Sequence, residues 1–144
     1  MSIINSFYNI YSINEQTFAY SHVLNPNEII VNVHWPGGYF GPGTHTALKY
    51  DQSFENVVSW GYPALYGRSY YSKTDTKPVE NFLLYLSKME NKPPLPNGLD
   101  YKKVITDYLK EMGNLIKESL NELWYGLKFF ENVLIIMPVL KYFL

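Results

Sequence analysis

The sequence predicts an α/β domain in which a mixed sheet is covered by one long helix. Its 144 residues are a one-domain length, so the predicted domain spans residues 1–144. Short segments rich in aromatic and β-branched residues fill the first 60 positions and indicate strands. An apolar stripe with helical spacing follows at residues 100–125. A wholly apolar run at residues 133–137 is typical of a strand that helices bury on both faces.

The N-terminal half is predicted to form short strands joined by turns. Aromatic and β-branched residues favour strands, whereas Asn, Asp, Pro and Gly between them mark turns. Apolar and polar side chains alternate over residues 28–35, which indicates a strand with one buried face. The predicted strands span residues 3–11, 15–23, 28–35, 44–50 and 56–60, and the predicted turns and loops span residues 25–27, 36–43 and 51–53.

The C-terminal half is predicted to be mainly helical. Short helices are expected at residues 61–68 and 78–89, because proline is tolerated in a first helical turn. Three prolines make residues 91–98 a stiff connector. The long helix begins near Asp100, a suitable N-cap, and Gly113 inside it indicates close packing, since glycine there costs about 1 kcal/mol relative to alanine. Its apolar stripe comprises Tyr101, Val104, Ile105, Tyr108, Met112, Leu115, Ile116, Leu120, Leu123 and Trp124.

Charge and composition argue against several classes of function. Twelve Lys and Arg against 13 Asp and Glu give a net charge of −1, and Arg68 is the only arginine. The clustered basic residues that bind nucleic acid are therefore missing. No run of 18 apolar residues is present, so a membrane span is not expected. The chain has no cysteine and begins without a basic and apolar leader, which favours a cytoplasmic location.

One segment partly matches a phosphate-binding loop. Gly38, Gly43 and Thr44 have the spacing of that motif. The lysine between the second glycine and the threonine is missing, and Pro42 removes a backbone donor that such a loop needs. An exposed hairpin loop is the simpler interpretation.

Two groups of side chains are of types that occur in binding sites but lack the neighbours or the spacing that such sites need. Tyrosines near Arg68 have rings that can stack on nucleobases, but with so little basic charge, packing in a core or loop is the simpler interpretation. The histidines do not have the helical spacing of a zinc site, so separate roles are favoured for them. The tyrosines are Tyr62, Tyr66, Tyr70 and Tyr71, and the histidines are His22, His34 and His45.

Six segments are distinctive when they are taken together. They are TFAYSH (residues 17–22), THTALKYD (44–51), VVSWGYPAL (57–65), KPVENFLLYL (77–86), LPNGLDYKKVITDYLKEM (95–112) and VLIIMPV (133–139). In order and spacing they resemble the first lobe of the ATPase domain in the seventy-kilodalton heat-shock protein family, in particular its divergent, fungal-type actin-like branch. The resemblance covers nearly the whole chain, and its most specific part is the segment around Trp60 together with the long helix.

The resemblance implies a fold whose two lobes close around ATP and magnesium, in a cycle that drives protein folding. The family's first phosphate loop, Asp-x-Gly-Thr-Thr, falls on Ile10, Tyr11, Ser12, Ile13 and Asn14. Ile10 replaces the acid that organises the waters of magnesium, Ser12 replaces the glycine that approaches phosphate, and Ile13 replaces a threonine. Each change removes a charge or donor that stabilises a phosphoryl-transfer transition state.

Two further departures concern the same chemistry. A lysine that the family places near the γ-phosphate corresponds to Leu83, and the sequence ends at Leu144, before the family's second phosphate loop and second lobe. The sequence therefore predicts a truncated, degenerate relative of a chaperone ATPase that has no catalytic residue, no metal site and no independent ATP hydrolysis. The alternative is a protein-interaction module, or a gene fragment, whose exposed apolar surface binds client proteins or a second copy.

Overall fold

A β-hairpin near the N-terminus starts the larger sheet. The computed structural model describes residues 4–10, 14–22, 25–67, 76–96, 98–123 and 134–136. Strands β1 (Ile4–Ile10) and β2 (Glu15–His22) pair antiparallel, with Phe7 opposite Ala19. The predicted hairpin is confirmed to within one residue at each end.

The larger sheet is mixed. Strand β10 (Leu134–Ile136) runs parallel to β1 on the side away from β2. The other edge of β2 pairs antiparallel with β3 (Asn25–Val31) and, near its start, with β6 (Thr44–His45). The strand order β10-β1-β2-β3 confirms that the apolar run at residues 133–137 joins the N-terminal strands in one sheet.

The turn predicted at residues 25–27 is wrong. Asn25 already pairs with His22, and β3 begins there. The register of β2 and β3 shifts between this pair and the pair of Tyr20 with Ile30. A bulge in β3 therefore accommodates the residues that carry the turn signal.

The strand predicted over residues 28–35 divides into two parts. β3 ends at Val31, and β4 (His34–Trp35) turns away to pair with β5 (Tyr39–Phe40) in a separate two-stranded ribbon. A 3-10 turn, Pro36–Gly38, connects the two strands of the ribbon. At the division Asn32 is buried, and its side-chain amide donates to the carbonyl of His34 at 2.7 Å.

A smaller sheet follows. Strand β7 (Ala47–Tyr50) lies between β8 (Val57–Trp60) and β9 (Val79–Glu80), and both pairings are antiparallel. The strand predicted at residues 56–60 is confirmed, and the one predicted at residues 44–50 is divided between β6 and β7.

The carboxylate of Asp51 holds the connection between β7 and β8. It accepts hydrogen bonds from the side-chain amide of Asn56 at 2.7 Å, the hydroxyl of Ser53 at 2.9 Å and the backbone N–H of Glu55 at 3.0 Å. These bonds, the one from the Asn56 side chain first, lower the pKa of Asp51 to about 2. Only the ionised carboxylate accepts all of them, so this turn depends on its charge.

Acid is expected to weaken this turn. Because the folded pKa of Asp51 lies below the unfolded value of about 3.9, the carboxylate stabilises the fold above that value, and the contribution is lost as the pH falls toward 2. Urea midpoints of the native protein and of Asp51→Asn, which cannot ionise, should differ at neutral pH and converge near pH 2. A constant difference across this range would contradict the assignment.

The chain between the smaller sheet and the connector contains less helix than predicted. Helix α1 (Tyr62–Tyr66) confirms the predicted short helix. The helix predicted at residues 78–89 is wrong, because β9 and a 3-10 turn, Phe82–Leu86, take its place. Asn81 has a left-handed φ of 58°, which interrupts a continuous helix. The apolar spacing still marks buried side chains, which are Val79, Phe82 and Leu83.

Helix α2 (Tyr101–Leu123) is the long helix, and its predicted start is confirmed. The carboxylate of Asp100 accepts the N–H of Lys102 at 3.3 Å, as an N-cap does. Every fourth residue is buried, which gives the stripe Val104, Tyr108, Met112, Ile116 and Leu120. Among the described residues, neither helix is both long and apolar enough to cross a bilayer.

The close packing predicted at Gly113 is wrong. A Cβ placed on this glycine would meet no atom within 4 Å, apart from the helix's own backbone and chain neighbours. The glycine lies beside the buried stripe rather than in it, so its presence does not report a close contact. Trp124, the last predicted member of the stripe, lies outside the described residues.

The described contacts of α2 are made chiefly with the smaller sheet. Tyr108 packs edge-on against Trp60 of β8, and the hydroxyl of Tyr50 in β7 donates to Asp107 at 2.8 Å. The helix was predicted to cover one sheet made of all the N-terminal strands, whereas these strands divide between two sheets and the described contacts of α2 lie chiefly on the smaller one. Spacing identifies which face of a helix is buried, but not which sheet covers that face. Residues of both sheets and of the helix nevertheless share one hydrophobic core.

Candidate aromatic binding site

The residues that the resemblance places on a phosphate loop do not form a binding site in the part of the chain that the structure describes. Ile10 is the last residue of β1, and Ser12 and Ile13 lie outside the described residues. Asn14 is exposed, and its carbonyl accepts the N–H of Thr46 at 2.9 Å. This part of the chain therefore joins β2 to the segment around β6.

Two of the other positions that the sequence singles out for phosphate are buried. Leu83 is a core residue, with 6% of its surface exposed. Thr44 is buried as well, and its hydroxyl accepts the backbone N–H of Tyr62 at 3.1 Å. Gly38 is exposed in the ribbon turn. Thr44 thus ties β6 to the start of α1 instead of facing a ligand.

The two histidines whose side chains the structure describes, His34 and His45, have different neighbours. His34 packs edge-on against Phe40, with ring centroids 5.3 Å apart. His45 lies beside Tyr62 and Tyr66, and the side chain of His22 is outside the described part of the structure. Among the described residues, no three His, Asp or Glu side chains could hold a metal ion together.

Four aromatic side chains converge at the start of α1, and we call them the aromatic cluster: Tyr39, His45, Tyr62 and Tyr66. The rings of Tyr39 and Tyr62 are stacked, with centroids 4.2 Å apart and planes 5° apart. Tyr66 lies 4.7 Å from Tyr62, and His45 lies 5.9 Å from Tyr62 and 5.7 Å from Tyr66. The rings come from β5, β6 and α1, so the fold assembles a surface that no single segment contains.

Close contacts around the start of α1 hold the cluster in place. Tyr62 and Tyr66 are one helical turn apart in α1, so their rings lie on the same side. The ribbon approaches α1 so closely that a Cβ on Gly37 would lie 2.7 Å from the ring of Pro63. That approach carries Tyr39 onto Tyr62, whose own N–H is held by Thr44.

The cluster offers ring surface and hydroxyl groups, and none of its side chains is Lys, Arg, Asp or Glu. Tyr66 is 60% exposed, and the other three rings are partly exposed. Among the described residues, the hydroxyls of Tyr39, Tyr62 and Tyr66 have no hydrogen-bond partner, so they can donate to a ligand. Such a surface can stack on a flat or ring-shaped group and bond its carbonyl oxygens.

Sequence reasoning found only half of this cluster. Tyr62 and Tyr66 are singled out by their closeness to Arg68, whereas Arg68, Tyr70 and Tyr71 lie outside the described residues. Tyr39 is not singled out and His45 is considered only as a metal ligand, because strand pairing and the close approach at Gly37 bring the parts of the cluster together. The one available hint was the spacing of Tyr62 and Tyr66 on a single helical face.

Comparisons with known proteins identify no relative of this chain. No protein-family model matches the chain, and neither a curated protein nor a solved structure matches it.

Proposed function

We propose that this chain is a protein-interaction module built on the scaffold of a heat-shock-type ATPase lobe, and that it does not hydrolyse ATP on its own. The order of the mixed sheet supports the scaffold. β1, β2 and β3 form an antiparallel series, and β10 lies parallel to β1 after a connection that contains α2. The resemblance implies a mixed sheet of this kind, made from the N-terminal strands and residues 133–137.

The residues themselves argue against hydrolysis. Phosphoryl transfer relies on positioned donors and cations that neutralise phosphate charge. At the aligned positions this sequence has Ile10, Ser12, Ile13 and Leu83, and Leu83 is part of the core. ATP and magnesium belong to the chemistry of the family, and no residue of this chain is assigned to bind them.

The observation that carries the interaction role is the aromatic cluster. Its rings are partly exposed, and Ile29 and Val31 add exposed apolar side chains on β3. Exposed aromatic residues with a polar tip are the residue type that protein interfaces favour. The proposal places the protein in the cytoplasm, where reducing conditions suit a chain without cysteine.

Magnesium-ATP is expected neither to stabilise the protein nor to be consumed by it. A ligand at about 100 times its dissociation constant stabilises a fold by about 2.7 kcal/mol, which a thermal-shift titration detects readily. The titration should therefore show no saturable rise in melting temperature, and a phosphate-release assay should match buffer. A saturable shift accompanied by phosphate release would contradict the proposal.

The interaction role predicts accessible apolar surface on the folded protein. We expect an apolar fluorescent dye to bind the native monomer, or sedimentation velocity to show self-association that increases with concentration. The two measurements are made on the same sample, since self-association would hide the surface from the dye. A monomer at every concentration that does not bind the dye would refute this role.

A further inference from the structure

We propose that the aromatic cluster binds an extended, proline-containing segment of a partner protein. This inference rests on the interaction role above and names the chemistry of the partner. A polyproline II segment has no internal hydrogen bonds, so its carbonyl oxygens are free, and its proline rings present flat apolar faces. Recognition of such segments elsewhere relies on aromatic grooves.

The cluster has the two kinds of group that this ligand requires. The stacked pair of Tyr39 and Tyr62, with Tyr66 beside it, supplies ring surface already held in place, so little side-chain freedom is lost on binding. The three phenol hydroxyls, which have no partner among the described residues, supply donors for peptide carbonyls.

The same molecule already contains one hydrogen bond of this kind, from a stacked tyrosine to a proline-rich segment. The hydroxyl of Tyr85 donates to the carbonyl of Pro93 at 2.8 Å, in the segment Lys92-Pro93-Pro94-Leu95-Pro96. The ring of Tyr85 is stacked on Tyr101, with centroids 5.3 Å apart and planes 16° apart. One hydroxyl of a stacked tyrosine pair thus bonds a carbonyl of a proline-rich segment within the chain, and the ammonium of Lys92 lies 5.7 Å from the centre of the same Tyr85 ring. The pair of Tyr39 and Tyr62 has its hydroxyls unpaired among the described residues.

Other ligands of aromatic surfaces fit less well. Single-stranded nucleic acid needs basic residues along its backbone, and none of the four cluster residues is Lys or Arg. A methylated ammonium group needs an open cage, and the 4.2 Å stacking of Tyr39 on Tyr62 closes the space between those rings.

A labelled decaproline peptide tests the proposal by fluorescence anisotropy with the full chain. We expect saturable binding, and no binding of a glycine-serine peptide of the same length. Tyr66→Ala should weaken binding about tenfold, because Tyr66 is the most exposed ring of the cluster. Tyr66→Phe keeps the ring and loses the hydroxyl, so its affinity should lie between those of the native protein and Tyr66→Ala. Circular dichroism checks that the variants are folded.

Phe40→Ala is the matched control. Phe40 is an equally open ring, 68% exposed, on the strand that carries Tyr39, but it contacts His34 and lies outside the cluster. Its loss should leave the decaproline affinity within about twofold, which is under 0.5 kcal/mol. Failure of decaproline to bind, equal effects of Tyr66→Ala and Phe40→Ala, or preferential binding of a deoxythymidine oligonucleotide would each overturn the proposal. Retained dye binding or self-association in those cases would leave the broader interaction role intact.

Discussion

Replacing Tyr108 with alanine is expected to lower the free energy of unfolding by about 3–5 kcal/mol, the range seen when large aromatic side chains are removed from cores. Tyr108 is 1% exposed and lies in the middle of the buried stripe of α2. Its ring contacts Trp60 at 5.8 Å and Phe82 at 5.5 Å, so one side chain joins the helix to β8 and to the 3-10 turn. The cavity left by alanine would loosen all three elements.

Urea denaturation of Tyr108→Ala and Tyr108→Phe separates the ring from its hydroxyl. The hydroxyl donates to the carbonyl of His45 at 3.3 Å, a long bond, so Tyr108→Phe should cost about 0.5–1.5 kcal/mol. Lys110→Ala, at an exposed position of the same helix, should change stability by less than about 0.5 kcal/mol. Similar losses for Tyr108→Ala and Lys110→Ala would show that the stripe does not face the core.

Local patterns predicted the elements in which one physical requirement dominates. The stripe of α2 follows from the helical period, because a long helix with apolar residues every three or four positions must bury that face. The N-terminal hairpin follows from two aromatic and β-branched segments around Asn14. In both cases tertiary structure only reinforces what the local sequence already favours.

Local patterns failed where tertiary contacts override them. Residues 25–27 carry a turn signal, yet β2 offers a pairing edge, and a bulge lets β3 use it. The helical spacing at residues 78–89 reports buried side chains correctly, but pairing of β9 with β7 and the left-handed Asn81 exclude a helix. Only Tyr62 and Tyr66 were grouped together from the sequence, because Tyr39 and His45 reach α1 through strand pairing and close backbone approach.

The backbone at Gly61 is the second point at which a small change should have a large effect. Gly61 has φ 67° and ψ −143°, a conformation that is essentially confined to glycine. A Cβ there would also lie 2.5 Å from the hydroxyl oxygen of Thr44, the same oxygen that accepts the N–H of Tyr62. Alanine at this position therefore meets both backbone strain and a steric clash.

Gly61→Ala is expected to lower the free energy of unfolding by about 3 kcal/mol, because strain at a glycine-only conformation costs about 1–3 kcal/mol and the displaced hydrogen bond adds to it. Urea denaturation of variants at two other glycines separates the backbone strain from the effect of the displaced hydrogen bond. Gly38 has φ 74°, but a Cβ there would meet nothing within 4 Å. Gly38→Ala should therefore lower the free energy of unfolding by about 1–2 kcal/mol from backbone strain alone. Gly113→Ala has neither problem and should stabilise α2 by about 0.5–1 kcal/mol.

The same variant links the fold to the aromatic cluster. Gly61 sets the direction in which the chain enters α1, and Thr44 holds the N–H of Tyr62 in that position. Displacing Thr44 should therefore move Tyr62 away from Tyr39 and weaken decaproline binding in the folded fraction of Gly61→Ala, whereas Gly113→Ala should leave binding unchanged. Unaltered affinity in a folded Gly61→Ala protein would mean that the stacking of Tyr39 on Tyr62 does not depend on this turn.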